Sequence, residues 1–322
     1  MPGHPRPPLT VAVEGDWPDL DDAVRFLTPG GSGVWDGVAF RPLRAASDPD
    51  LLVVLSRPLR PIAVRLPPER VWFAIGEPPT VRHRVLHVGQ GRGTVVLTCD
   101  RSVAEDPVLA AERTYLLEPP VVRTWQVRRS IEALEAMDAV EKSRDLSWIT
   151  SNLQRLDGHR RRLAFLGRLQ GALPFDLFGR GFRPVEDKWD ALAPYRYAIA
   201  FESKVAPGYF TEKLMDCFVA LAMPIYVGAP DIERYLPAEA MVRIDPDDPD
   251  VVPSIREAVR SDRWRRAGEA LREARRRVLH ERNMFARLAA LIRDRVGTAA
   301  VPSTATTDLR PLVPPAGRTA GR

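Results

Sequence analysis

Residues 194–237 read PYRYAIAFESKVAPGYFTEKLMDCFVALAMPIYVGAPDIERYLP. An apolar run over 197–201 predicts a strand that stops at an acid, Glu202. A Pro/Gly loop follows, then a helical pattern over 209–221 whose first turn holds Tyr209, Thr211, Glu212 and Lys213. A second strand, over 224–227, closes at Gly228. Strand, loop, helix and strand in that order make one unit of a parallel sheet. A helix N-terminus offers unpaired N–H groups and a positive dipole end, so an anionic phosphate is favoured there, and Lys213 adds a compact cation. By the dipole rule alone a lysine is misplaced in a first turn; a bound diphosphate accounts for it.

Outward from this stretch the alternation continues. Strands are predicted over 146–150, 175–178 and 241–244, with a helix over 158–170. Helices on both faces of a parallel sheet follow, and such sheets bind ligands outside the carboxyl ends of their strands. The upstream half reads as short strands over 9–13, 51–55, 71–75 and 94–98, with a helix over 19–27. The Pro-dense stretch 57–69 argues against regular structure over most of its length. An amphipathic pattern over 127–142 predicts a helix leading into the second domain. Beyond 251 the chain is Arg-rich and helical, with Leu271, Val278, Phe285, Leu288, Leu291 and Ile292 spaced as one buried stripe. Residues 297–322 have the composition of a disordered tail. The resulting division is an N-terminal domain over 1–140, a second domain over 141–296 and the tail.

With 322 residues, 45% hydrophobic and 28% charged, the chain lies in the globular range. No apolar run approaches the roughly 20 residues needed to cross a bilayer, and the first residues lack a signal pattern, so the expected location is the cytoplasm. Cys99 and Cys217 are far apart and lack metal-ligand spacing, which predicts buried, reduced thiols. A net charge of +5 points to an anionic partner. Arginine supplies most of it, since Lys142, Lys188, Lys204 and Lys213 are the only lysines.

The central stretch resembles the donor-site signature of the α-1,3/4-fucosyltransferases, glycosyltransferase family ten, which reads F-E-N, a variable loop, then Y-x-T-E-K. Here it is Phe201 and Glu202, then Tyr209, Thr211, Glu212 and Lys213, continuing to PIYVG at 224–228. Upstream blocks match in order: LSWITSN at 146–152, GHRRRLAFL at 158–166 and FDLFGRGF at 175–182. Ser203 stands where the family commonly has Asn. The resemblance implies an α/β fold of GT-B architecture, two Rossmann-like domains facing a cleft, with the second holding GDP-fucose. The first, acceptor domain matches best at VWFAIGEPP, which places the general base at Glu77.

By the same resemblance the donor contacts map onto Arg162, Tyr209, Glu212 and Lys213, with Glu202, Ser203 and Thr211 in the motif. Register within HRRR leaves Arg160 or Arg161 as alternatives to Arg162. The implied reaction is an inverting transfer of L-fucose from GDP-β-L-fucose to a glycan hydroxyl. Glu77 and Glu212 would be the catalytic carboxylates, with no cofactor and no essential divalent metal. The partners are then the donor and a glycan acceptor, with the Arg-rich helices free to touch the inner face of an anionic membrane. No nucleic acid is expected, because acids dilute the arginines and no aromatic platform interleaves them.

The same residues have plainer readings. Glu212 and Lys213 could be exposed first-turn charges, Tyr209 could pack at the helix start, Arg162 could line a solvated face, and GEPP is a good turn. IDPDDPD at 244–250 reads as a polar turn rather than a metal motif, and His83 with His87 lacks a third ligand. Trp125, Trp148 and Trp189 are candidates for stacking on a base or sugar, though core packing is the commoner fate. The competing functions are the same fold with another nucleotide sugar, and a non-catalytic basic protein that binds membrane or nucleic acid.

Overall fold

The structure is a computed structural model that describes residues 9–15, 17, 19–80, 94–107, 113–296 and 305–309. It divides into two units, 1–122 with 284–322, and 123–283. The division therefore falls near residue 122 rather than 140, and the last helical segment belongs with the first unit. His83 and His87 lie outside the described residues.

The first unit is built on a seven-stranded sheet. Its strands are β1 (Leu9–Gly15), β2 (Val34–Trp35), β3 (Val38–Pro42), β4 (Leu51–Leu55), β6 (Val71–Ala74), β7 (Val95–Thr98) and β8 (Thr114–Leu116), in the order β2-β3-β1-β4-β6-β7-β8. All neighbours are parallel except β2 and β3. Every residue of β4 is buried, which is why LLVVL reads as an unbroken apolar run and not as an alternation. Helix α1 (Leu20–Leu27) turns Leu20, Ala23 and Leu27 inward. Cys99 is a buried free thiol, as its spacing predicts.

The Pro-dense stretch is irregular over most of its length, as expected, and holds one short strand, β5 (Ile62–Val64); the predicted tail supplies its partner, β14 (Thr307–Leu309), paired antiparallel. Leu309 is buried, so residues 307–309 of the predicted tail are part of the folded unit. Residues 297–304 and 310–322 lie outside the description. The chain also returns to this unit through α9 (Met284–Val296), where Phe285 meets Phe40 with ring centroids 4.8 Å apart.

The second unit carries an all-parallel five-stranded sheet. Its strands are β9 (Arg144–Ile149), β10 (Asp176–Phe178), β11 (Tyr195–Phe201), β12 (Met223–Val227) and β13 (Val242–Arg243), in the order β10-β9-β11-β12-β13. Helix α4 (Asp157–Leu169) follows β9, and α5 (Glu212–Val219) follows β11. Trp148 lies against Phe201 and Phe165 at 6.2 and 5.9 Å, so it is a core residue, as is Trp125. Trp189 is half-buried beneath the Arg129 guanidinium.

Two short helices precede α4: α2 (Arg101–Ala104), in the first unit, and α3 (Ile131–Glu135), in the second. Only α3 survives from the helix predicted over 127–142. Downstream, Lys142 is drawn inside to donate to the Ala193 and Ala220 carbonyls at 2.8 and 2.7 Å, where burial pushes its ammonium down to about 7. Ala220 ends α5, so this cation caps that helix.

The Arg-rich region forms α6 (Val251–Arg260), α7 (Arg263–Arg266), α8 (Gly268–Arg276) and a π turn at Arg277–Glu281. Arg276 and Arg277 both bond Glu273, and Arg276 also reaches Glu281, so part of this charge is neutralised locally. The apolar stripe is not continuous: Leu271 and Val278 are buried in the second unit, whereas Phe285, Leu288 and Ile292 belong to the first. Among the described residues no helix is long and apolar enough to cross a membrane.

Candidate functional site

In the second unit the chain leaves β9 toward β10 on one side, and leaves the neighbouring β11 toward β12 on the other. In open α/β sheets such a reversal marks the place where ligands bind, here the crevice position outside the carboxyl ends of β9 and β11. A cavity of about 540 Å³ lined by Arg144, Asp176, Phe175 and Arg256 lies at the opposite, amino ends of β9 and β10. It does not compete for that role.

Helix α4 delivers the first group of residues. Its buried positions are Arg162, Phe165, Leu166 and Leu169, spaced i, i+3, i+4 and i+7. Arg162 thus shares the inward face with three core residues and is 6% exposed. Its Nη2 donates to Ser151 O at 2.9 Å and Ser151 Oγ at 3.0 Å, just past β9, while its Nε is buried without a partner. Arg160 turns outward to Gln154 and Asp157, and Arg161 to Asp245 and Asp247. Of the three arginines Arg162 alone is buried, on the face of α4 turned toward Ser151. The Asp-rich turn at 245–250 is occupied by these arginine contacts and its own backbone caps.

No side chain caps the N-terminus of α4. Its first turn instead presses on the backbone that leaves β11. A Cβ at Gly158 would lie 1.7 Å from the Ser203 carbonyl oxygen, so only glycine lets α4 come this close. It is the backbone of Ser203 that makes this junction.

Helix α5 delivers the second group. The helix begins at Glu212, with Thr211 as its N-cap in extended conformation, so Tyr209 and Thr211 precede the first turn predicted to hold them. Thr211 is fixed from behind by Glu202, whose carboxylate accepts from Thr211 N at 2.7 Å and from Thr211 Oγ1 at 2.9 and 3.0 Å. Glu202 has no exposed side-chain surface, which corrects its place among the groups that would meet a donor: it holds the cap and does not face the crevice. Tyr209 is likewise buried, beside Gly208, whose N–H donates to Asp231 at 2.7 Å. It packs at the helix start.

At the start of α5, Lys213 and Glu212 keep exposed surface, 31% and 18% of their side chains. Lys213 Nζ lies 3.0 Å from Thr211 Oγ1, 3.2 Å from Glu212 Oε1 and 3.6 Å from Glu202 Oε2. Burial opposes its charge, but Glu212 and Glu202 outweigh burial and hold the ammonium above its ordinary range. Burial likewise opposes ionisation of Glu212, yet Lys213 and Lys188 hold it below the usual carboxylate range. Glu202 goes the other way, because full burial outweighs Lys213 and raises it. Arg162 and Lys213 are close enough to repel each other.

Three contributors escaped the sequence reading. Ser151 orients Arg162. Lys188 pairs with buried Asp216 at 2.7 Å and supports the charge of Glu212. His159, in the first turn of α4, has a buried Nδ1 without a partner. Its position one helical turn before Arg162 was the available signal. Glu77 belongs to the other unit, where it follows β6, partly exposed, with its carbonyl 3.9 Å from Cys99 Sγ. Among the described residues no three His, Cys, Asp or Glu side chains converge as metal ligands.

Parallel sheets with reversed strand order in both units define the class, the two-unit α/β architecture named GT-B. Over residues 139–249 the chain matches the family described as glycosyltransferase family 10 (fucosyltransferase) C-term. Among curated proteins, a 4-galactosyl-N-acetylglucosaminide 3-alpha-L-fucosyltransferase of Pongo pygmaeus is 31% identical over 109 residues, 32% of this chain and 30% of the relative. A 3-galactosyl-N-acetylglucosaminide 4-alpha-L-fucosyltransferase of Pan troglodytes is 33% identical over 109 residues, 32% of this chain and 28% of the relative. The chain thus spans about 30% of the length of the curated relatives it matches. Two crystal structures share the fold across nearly the whole chain. An alpha1,3-fucosyltransferase has TM-score 0.51 at 16% identity, covering 95% of this chain and 94% of its own. An alpha1,3-fucosyltransferase with GDP has TM-score 0.52 at 15% identity, covering 94% of both chains.

Proposed function

We propose that this chain transfers L-fucose from GDP-β-L-fucose to a hydroxyl of a glycan acceptor, with inversion at the anomeric carbon. The observation that carries the reading is the convergence of Arg162 and Lys213 with the uncapped N-terminus of α4 at the strand-order reversal, inside the matched segment. Two fixed cations and a set of backbone N–H groups suit a diphosphate leaving group. They would stabilise the charge that grows on it as the sugar bond breaks, the task a metal performs in other transferases.

Glu212 stays ionised beside Lys213 and would favour positive character on the sugar ring. Glu77, in the unit we assign to the acceptor, would take the proton of the attacking hydroxyl. Isothermal titration with GDP-fucose, GDP-mannose and UDP-galactose tests the donor, because a diphosphate site alone does not name the hexose. Tighter binding of either competitor overturns the assignment.

Replacing Glu77 by alanine should slow transfer about 100-fold, the usual range for a lost general base, while GDP-fucose affinity stays within about twofold. Steady-state rates with a saturating acceptor, set beside the titration, check both halves of this expectation. A normal rate in the variant removes Glu77 from the mechanism.

A further inference from the structure

We propose that His159 is a third donor-binding group, one that takes up a proton when the diphosphate of a nucleotide sugar enters the crevice. The inference rests on the donor reading above and assigns to the same site a residue to which the sequence reading gave no role.

The first observation is geometric. His159 occupies the first turn of α4, three residues before Arg162, and the turn is locked in place by Gly158 against Ser203. His159 Nδ1 and Arg162 Nε are both buried nitrogens without a hydrogen-bond partner among the described residues. Arg162 is 94% buried, being 6% exposed. Two orphaned nitrogens one helical turn apart, at a helix end that no side chain caps, mark a place prepared for acceptor oxygens. A phosphate oxygen would satisfy them.

The second observation is the charge around the ring. On its own helix and the segment before it, His159 faces Arg155, Arg160 and Arg162; from α5 it faces Lys213. The acids nearby are already committed, Asp157 to Arg160, and Glu202 and Glu212 to Lys213. Burial first, and these cations second, hold the imidazole below its ordinary value, so the free site keeps it neutral near pH 7. An arriving diphosphate reverses that balance. One proton then moves from solvent to the ring, which becomes a cation against the anion, and no other bond is made or broken.

The sign follows. Between the depressed value of the free site and the raised value of the complex, each fall in pH strengthens donor binding. The test is calorimetric titration of GDP-fucose from pH 5.5 to 8.5, in paired buffers of different ionisation enthalpy, on the wild-type chain and His159→Gln. The diphosphate of a nucleotide sugar carries no group that titrates in this range. Wild-type affinity should fall about tenfold from pH 6 to pH 8, with close to one proton taken up per donor at the lower end. The glutamine variant should bind with a flat profile and no uptake. His159→Asn supplies a second variant, and melting curves show that both fold.

An unchanged slope and unchanged proton uptake in a folded variant overturn the role of His159 and leave the donor reading standing. Failure of the wild-type chain to bind GDP-fucose at any pH overturns the donor reading itself.

Discussion

Lys213→Ala is expected to weaken GDP-fucose binding about 50-fold, the worth of a lost charge-assisted contact, and to lower transfer efficiency about 1,000-fold. The larger kinetic effect arises because charge on the diphosphate grows as the sugar bond breaks, so the ammonium matters more in the transition state than in the ground state. The change also removes the cation that keeps Glu212 ionised. Glu212 should then titrate higher, shifting the acid limb of the rate profile upward. Arginine should restore only part of the loss, because its planar fork cannot reproduce a compact charge that contacts Thr211, Glu212 and Glu202 together. Calorimetry and a GDP-release assay across pH measure these effects; wild-type affinity in the alanine variant would exclude Lys213 from the donor site.

Glu202→Ala should cost about 3 kcal/mol of stability, the scale for breaking a buried, hydrogen-bonded charge pair. It strands the Thr211 N–H and hydroxyl, loosens the cap of α5 and opens a void behind Lys213. Glu202→Gln should cost about 1 kcal/mol, since burial already disfavours the charge and the amide oxygen still accepts from Thr211. The pH dependence separates the two explanations. Burial raises Glu202 above its ordinary value, so the native state binds this proton more tightly than the unfolded chain does. Its contribution is complete below the unfolded carboxylate value and fades as pH rises through the raised native value. Urea unfolding from pH 4 to pH 8 should show that decline in the wild type and not in the glutamine variant. Equal losses for alanine and glutamine would show that the carboxylate itself, not its shape, holds the cap.

The parts of the site legible in the sequence are those where one local motif carries both structure and charge. Glu202, Thr211, Glu212 and Lys213 are joined by the turn that links β11 to α5, so their order along the chain is also their order in space. Arg162 was ambiguous only until its neighbours were weighed: Phe165, Leu166 and Leu169 share its face, and Arg160 and Arg161 do not.

What stayed hidden depended on distant partners. The buried state of Glu202 follows from three bonds to Thr211, and motif spacing cannot tell a buried carboxylate from one facing a ligand. The helix predicted over 127–142 stops at Glu135, and Lys142 is claimed by carbonyls 51 and 78 residues downstream. Strand β5 looked irregular because its partner lies more than 240 residues away. The short strands of the first unit owe their order to tertiary pairing, which periodicity does not encode.

The first unit is closed by residues that follow the second unit in the chain. During synthesis, all of residues 123–283 emerge before α9 and β14 exist. The second unit can mature on the ribosome while the first still lacks Phe285 against Phe40 and Leu309 beside β5. A truncated product ending near 283 would therefore retain Arg162, Glu212 and Lys213 in their folded unit yet leave apolar surface of the other unit uncovered, a hazard for aggregation and a mark for proteolytic clearance.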